Sequence, residues 1–332
     1  MDFRSKNLLV TGGAGFIGSN FIKYFFDKYN DTRVINVDCL TYAGNLDNTK
    51  EFSNNSNYFF IKGDICDEKL ISKVFKKYKI DGVINFAAET HVDNSINNPN
   101  PFIRSNIIGV FNLINIAFKF WMTTPFKYKE EYKNSRFHQI STDEVYGSIK
   151  SGAFSEKSCY KPNSPYAASK ASADLMIRSF NKTYGLNTTI SICSNNYGPN
   201  QNEEKLIPKV IKNFKENIPI PIYGNGLNVR DWIHVIDHCE AIDVIFQNSD
   251  SGHIYNIGAK NELSNLELIN RINSILNNLY SKSVKIDFVK DRYGHDYRYS
   301  IDTSKLEKLF KWKSKKIFDY EIKKIIKMNC DD

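Results

Sequence analysis

The chain has 332 residues, 41% hydrophobic and 25% charged, which suits one large α/β unit or a nucleotide-binding domain with a smaller companion. Its formal net charge is +8 and its pI is near 8.9, with basic residues spread along the chain and enriched between Lys305 and Lys327. A solvated lysine-rich surface accounts for this better than a nucleic-acid footprint, and some of the cations are free to line a pocket for an anionic substrate.

In chain order, Met1 to Lys6 is polar, with no secretory apolar stretch, and leads into a strand at Leu8-Leu9-Val10 followed by a helix from about Phe16. Val34–Val37, Tyr58–Ile61 and Val83–Phe86 predict the second, third and fourth strands, and Ile107 to Phe120 a helix. Phe137–Ile140 and Thr189–Ile192 predict the fifth and sixth strands, joined through a helix from Tyr166 to Tyr184. Such alternation predicts a Rossmann-type, doubly wound, mainly parallel sheet covered on both faces. Asn195–Pro199 is turn-rich, and the later chain mixes helices with short strands. The expected division is a dinucleotide-binding domain over 1–195 and a smaller α/β lobe over 196–332, with a strand at Ile254–Ile257 returning to the first.

Six cysteines (Cys39, Cys66, Cys159, Cys193, Cys239 and Cys330) form no C-x-x-C pair, which argues against disulfides and structural zinc. His234 and His238 share a helical spacing but no further ligand motif, so no metal is expected. No apolar run approaches the roughly 18 residues of a membrane helix. These features predict a cytosolic protein that engages neither membrane nor nucleic acid.

Thr11-Gly12-Gly13-Ala14-Gly15-Phe16-Ile17-Gly18 sits between the first strand and the first helix. Missing side chains at Gly12, Gly15 and Gly18 allow a tight turn, close approach of a pyrophosphate and close helix–strand contact, with the helix N-terminus facing the phosphates. Asp38 ends the second strand, where a carboxylate accepts from an adenosine ribose and repels a 2′-phosphate, favouring NAD over NADP. Asp64-Ile65 after the third strand is a weaker candidate for the adenine edge.

Tyr166 and Lys170 are four apart in a helix and share a face, where an ammonium would lower the phenol from about 10 toward the range of a general base. Ser141-Thr142 adds hydroxyls at a strand end. Together with the glycine motif, S-T-D-E-V-Y-G (Ser141 to Gly147) and Y-A-A-S-K (Tyr166 to Lys170), the sequence resembles the extended short-chain dehydrogenase/reductases. Asp143-Glu144 narrows the resemblance to the nucleotide-sugar 4,6-dehydratases. L-T-Y-A-G-N-L (Leu40 to Leu46), A-A-E-T-H-V-D-N-S-I (Ala87 to Ile96), N-N-Y-G-P-N-Q (Asn195 to Gln201), E-K-L-I-P (Glu204 to Pro208) and D-R-Y-G-H-D-Y-R-Y (Asp291 to Tyr299) extend it over nearly the whole chain. Thr90 and Tyr293 depart from the family's usual Ser and Pro.

The resemblance implies that a nucleoside-diphospho-glucose, dTDP-glucose or UDP-glucose, becomes a 4-keto-6-deoxy sugar. Glucose C5–H is not acidic until C4 is oxidised. Tyr166 would take the 4-hydroxyl proton, supported by Lys170 and Thr142. Glu144 would remove the C5 proton, and a protonated Asp143 would donate to the departing hydroxyl. Phe16, Ile17, Leu40, Thr41, Ile65, Phe86, Ala87, Ala88, Ser105 and Asn196 match positions near NAD. Thr90, Asn195, Lys205, Leu206, Pro221, Tyr223, Arg230, Asn265, Arg292 and His295 match positions on the substrate. A homodimer through the helices at 107–120 and 166–184 is implied as well. A 4-epimerase, which would not need Asp143-Glu144, and a non-catalytic NAD-binding regulator remain the alternatives.

Overall fold

The structure is a computed structural model that describes residues 5–331. Strand β1 (Asn7–Thr11) leads through the glycine loop into α1 (Phe16–Lys28), then β2 (Arg33–Asp38), β3 (Tyr58–Lys62), α2 (Glu68–Tyr78) and β4 (Gly82–Asn85). Helices α3 (Val92–Asn97), α4 (Asn100–Phe102) and α5 (Val110–Trp121) follow, then a short hairpin, β5 (Met122–Thr124) and β6 (Lys127–Tyr128). β7 (Arg136–Thr142), α6 (Pro165–Tyr184) and β8 (Thr188–Cys193) complete the first two-thirds. The remainder is β9 (Asn195–Tyr197), α7 (Leu206–Glu216), β10 (Ile220–Tyr223), β11 (Val229–His234), α8 (Val235–Asn248), β12 (His253–Ile257), β13 (Glu262–Ser264), α9 (Asn265–Tyr280), β14 (Ile286–Val289), α10 (Ser304–Phe310) and α11 (Phe318–Cys330).

A seven-stranded sheet runs in the order β12-β8-β7-β4-β1-β2-β3, and all its pairs are parallel. Both faces are covered, which is why its strands read as apolar runs. Leu9, Ile35, Val83 and Phe137 pack under α2, α5 and α6, whereas Leu8, Val10, Val34 and Ile84 pack under α1, α8 and α10. The return to this domain therefore includes α8 and α10 as well as the expected strand, β12. A third core joins α7, α9 and α11 around Tyr197, Trp232 and Ile222.

Local chemistry sets the helix ends. Ser164 caps α6 through the Ala167 N–H, Pro165 opens its first turn, and Gly185 closes it in a left-handed conformation. Ser264 and Glu267 form a reciprocal capping box on α9.

Three sequence expectations need correction. The helix expected from Ile107 begins at Asn100 and continues through a wide π-helical stretch, Ile103–Gly109, into α5. As one helix, Asn100–Trp121 is long and apolar enough by composition to cross a membrane, contrary to the reading of the sequence. Half of its apolar window is buried in the fold. The turn-rich Asn195–Pro199 segment contains β9, because parallel pairing with Trp232–His234 of β11 overrides local turn preference.

Buried Arg136 ties two layers together. Its guanidinium donates to the carbonyls of Ile245, Phe246 and Ser249 at the C-terminal end of α8. Those carbonyls lie at the negative end of the helix dipole. Replacing Arg136 with Met would remove these buried, charge-assisted bonds. It should cost about 2–4 kcal/mol in urea denaturation, and an unchanged midpoint would show that the contact carries no stability.

Candidate active site

One cleft opens over the C-terminal ends of β1, β2, β3, β4, β7 and β8. The glycine loop forms its floor. Gly12 has φ +72°, and a Cβ there would lie 2.7 Å from the Ala87 nitrogen, while one on Gly18 would strike the Gly12 carbonyl. Both must therefore be glycine for the loop to close and for the helix to approach it. Gly15 caps α1 without a side-chain bond, so the first N–H groups of the helix face the cleft.

At the far end, the Asp38 carboxylate accepts from the Ala14 N–H at 2.9 Å and the Leu40 N–H at 2.8 Å. Burial raises its pKa and these two bonds oppose the rise. Leu40 fixes Asp38 through its backbone but does not line the cleft, whereas Thr41 does. Asp64 accepts from the Cys66 N–H and from Arg104. Burial is the largest single influence on Asp64, yet those donors outweigh it and hold the carboxyl below the usual range.

Thr142 ends β7, and Asp143 and Glu144 occupy the 3₁₀ turn that follows. Tyr166 and Lys170 face them from α6, both buried. The Tyr166 N–H donates to Ser95 of α3 at 3.2 Å, and the Lys170 ammonium donates to the Ile140 carbonyl at 2.7 Å. The π-helical stretch delivers Asn106, whose amide brackets the backbone of Glu89 at 2.9 and 3.0 Å and donates to Ser169 of α6 at 2.8 Å. Such a widened turn is a common mark of functional sites.

The electrostatics separate the two acids. Burial, then Glu144, pushes Asp143 well above the carboxylate range, and one of its oxygens has no partner. Burial also raises Glu144, but Arg230, Arg292 and Lys205 oppose that rise. Both shifts are upward, but the neutral form is favoured more strongly at Asp143, because more cations oppose the rise at Glu144. The phenol departs from the sequence expectation: burial, then Glu144, raises Tyr166 well above 10 rather than lowering it. Lys170 is itself lowered by burial, and its ammonium is engaged by the Ile140 carbonyl.

Among the sequence candidates, Gly12, Gly15, Phe16, Ile17, Gly18, Asp38, Thr41, Asp64, Ile65, Phe86, Ala87, Ala88, Ser105 and Asn196 line the cleft. So do Thr90, Thr142, Asp143, Glu144, Tyr166, Lys170, Asn195 and Lys205. Leu206, Pro221, Tyr223, Arg230, Asn265, Arg292 and His295 do not: they sit on second-lobe elements and bond to their own chain. Buried Arg230 bonds the carbonyls of Val229 and Asp296 and stacks 4.0 Å above the Tyr299 ring. Tyr299 in turn donates to Asp296 at 2.8 Å and reaches Glu144 at 3.5 Å. Arg292 and Tyr223 meet on Asp93, and His295 bonds Asp291 at 2.7 Å. Leu206 opens α7, Pro221 lies in β10, and Asn265 opens α9.

The sequence reading did not assign Glu89, Cys193, Ser194, Gln201, Asn202 or Glu204, all of which line the cleft. Glu89, Gln201 and Glu204 lie inside the quoted motifs, so the signal was present. No group of metal-ligating side chains occurs among the described residues.

Residues 9–325 match the family model described as GDP-mannose 4,6 dehydratase. The dTDP-glucose 4,6-dehydratase of Salmonella typhimurium is 43% identical over 96% of this chain and 91% of that protein. The Neisseria meningitidis dTDP-glucose 4,6-dehydratase is 42% identical over 98% of this chain and 94% of its own length. Among solved structures, the dTDP-glucose 4,6-dehydratase DesIV of Streptomyces venezuelae, with NAD and TYD bound, superposes with a TM-score of 0.89. It is 39% identical and the match covers 98% of this chain and 97% of that one. A UDP-glucose 4-epimerase of Thermotoga maritima shares the fold at a TM-score of 0.84 but only 26% identity over 97% of each chain. The chain belongs to the GDP-mannose 4,6-dehydratase family of extended short-chain dehydrogenase/reductases.

Proposed function

We propose that this protein is an NAD-dependent 4,6-dehydratase that converts dTDP-glucose to its 4-keto-6-deoxy product and water. The observation that carries the reading is the pair Asp143 and Glu144, adjacent in sequence and both buried, with more cations acting on Glu144, beside Thr142, Tyr166 and Lys170 in one cleft. A 4-epimerase would need no such pair. The choice of dTDP-glucose follows the relatives' substrate.

The glycine cradle, the open N-terminus of α1 and Asp38 fit a dinucleotide: Gly12, Gly15 and Gly18 would admit the pyrophosphate, and Asp38 the adenosine ribose. NAD, when bound, supplies a hydride acceptor at the Tyr166 end of the cleft. Tyr166 acts as a phenolate that the Lys170 ammonium supports, and it becomes the phenol on accepting the proton of the sugar 4-hydroxyl while Thr142 orients that oxygen. Glu144, its anion supported by Arg230, Arg292 and Lys205, removes the C5 proton made acidic by the C4 ketone. Asp143, held neutral by burial, donates its proton to the departing 6-hydroxyl.

The domain division follows this chemistry. Residues 1–195, with the returning strand near 254–257, hold the cofactor, and residues 196–332 mainly hold the substrate. The six thiols are unpaired, which suits a reducing cytoplasm.

Glu144→Gln keeps the size of the side chain and removes the base. Formation of the 4-keto-6-deoxy product should fall at least ~100-fold, together with solvent deuterium incorporation at C5. Asp143→Asn should slow product formation less, because water can also donate the proton. Near-normal turnover by Glu144→Gln would defeat the assignment of the base.

Asp38→Ala should weaken NAD binding by about tenfold or more in calorimetry, the loss expected for hydrogen bonds to a charged group. The unmodified protein should bind NADP more weakly than NAD, and equal affinities would remove Asp38 from its role.

The reading also includes a homodimer. Ile103, Ile108 and Phe111 on the long helix and Leu175 on α6 are exposed, and the two helices pack against each other. Light scattering should give twice the chain mass, and Phe111→Glu combined with Leu175→Glu should give one chain mass. A monomer without these substitutions would exclude this interface.

A further inference from the structure

Behind Lys170, one helical turn farther along the same face of α6, lies a carboxylate that the reaction scheme leaves unused. Asp174 is 1% exposed and Lys170 is 5% exposed. Spacing of four residues puts Tyr166, Lys170 and Asp174 in one row. The lysine and the aspartate clamp consecutive residues of β7. The Lys170 ammonium donates to the Ile140 carbonyl at 2.7 Å, and Asp174 accepts from the Ser141 hydroxyl. Tyr160 donates to the same Asp174 oxygen at 3.2 Å, while the other oxygen is buried without a partner. No carboxylate lies within 4.0 Å of Lys170 among the described residues.

A desolvated ammonium in such a place needs a counter-charge, or it surrenders its proton. We propose that Asp174 is that counter-charge, a positioning residue that keeps Lys170 protonated and, through Ser141, holds the end of β7 that carries Thr142 against α6. Its consequence for turnover rests on the dehydratase reading, whereas its effect on Lys170 does not.

The surrounding groups support the assignment. Burial lowers Lys170, and Asp174 leads the groups that raise it, followed by Cys193 of β8. Burial raises Asp174 to about 6, against the Ser141 hydroxyl, Lys170 and Tyr160. Tyr146, in the turn after β7, and Tyr160 both sense the Asp174 charge, and exposed Arg178 of α6 acts on Tyr160. At neutral pH Asp174 is therefore an anion, and Lys170 loses its partner as pH falls through about 6.

The test is an NMR titration of the NAD-bound, ¹³C-lysine-labelled protein. The Lys170 Cε signal is assigned by its loss in Lys170→Met, with product formation assayed in parallel. Asp174→Asn should lower the Lys170 midpoint by about one unit or more, the size of an opposite-charge effect. Asp174→Glu should restore it. At a pH one unit above the altered midpoint, product formation should drop about tenfold with little change in KM, following the fraction of charged lysine. A folded Asp174→Asn with an unmoved midpoint overturns the proposal, even if its activity is low, because a purely structural role would give that result.

If Asp174→Asn does not fold, the unmodified protein decides. Its Lys170 signal should show a second step near 6, and Ser141→Ala should move that step upward by removing a donor to the carboxylate. Absence of the step overturns the proposal. A midpoint that falls in Asp174→Asn, in a protein that makes no 4-keto-6-deoxy product, leaves Asp174 in place and refutes only the dehydratase reading.

Discussion

β1 and β4 are neighbours in the sheet, but the chain leaves them for opposite faces, into α1 on one side and toward α5 on the other. Where neighbouring strands send their connections apart, no loop can roof the space between their ends, and a crevice has to form. Many of the groups that line that crevice enter it from a strand terminus or from the helix that follows one. The glycine loop comes from β1, Asp38 from β2, Phe86 to Ala88 from β4, and Thr142 to Glu144 from β7. The crevice also gains walls that exclude water, since both sheet faces are already covered by helices.

Exclusion of water gives the site its chemical range. Asp143 and Glu144 are consecutive residues, so sequence alone gives them the same intrinsic acidity. Burial raises both and Arg230 opposes the rise at both, but Glu144 has Arg292 and Lys205 against it as well, whereas Asp143 is raised further by Glu144 and Asp231. Of these cations Lys205 lines the cleft, whereas Arg230 and Arg292 contribute without doing so. Arg230 is held by backbone carbonyls and by the Tyr299 ring, and it acts on Glu144 from behind. Positioning through a rigid stack of this kind fixes a field without placing a flexible side chain next to the substrate.

Much of the sheet was legible because its strands are buried on both faces and carry short, mainly apolar runs such as Leu8–Val10 and Val34–Val37. Gly12 to Gly18 and Asp38 were legible because a glycine loop and a strand-end acid keep a fixed spacing in dinucleotide folds. Tyr166 and Lys170 followed from a spacing of four in a helix. β9 was hidden, since Asn195–Tyr197 has turn chemistry and becomes a strand only through Trp232–His234, far along the chain. The start of the long helix was hidden, since Pro99 and the polar residues around Asn106 have loop chemistry, whereas Asn106 is buried and bonded to Glu89 and Ser169. The direction of the Tyr166 shift was equally out of reach. Spacing gives adjacency to Lys170, but only the packed structure shows how far burial outweighs it.

The edge position of β12 bears on synthesis and maturation. Its register partner β8 ends at Cys193, yet β12 is not reached until His253, after the chain has built β9, α7, β10, β11 and α8. While the nascent polypeptide emerges from the ribosome, the hydrogen-bonding edge of β8 stays open for some sixty residues of elongation. An unpaired edge of that kind can template strands from other chains. α8 buries Ile242, Ile245 and Phe246 against the sheet immediately before β12 arrives, so docking of that helix precedes closure of the edge. Any circular permutant or split variant that moves residues 235–257 away from the rest would prolong the open state, whatever it did to the chemistry of the cleft.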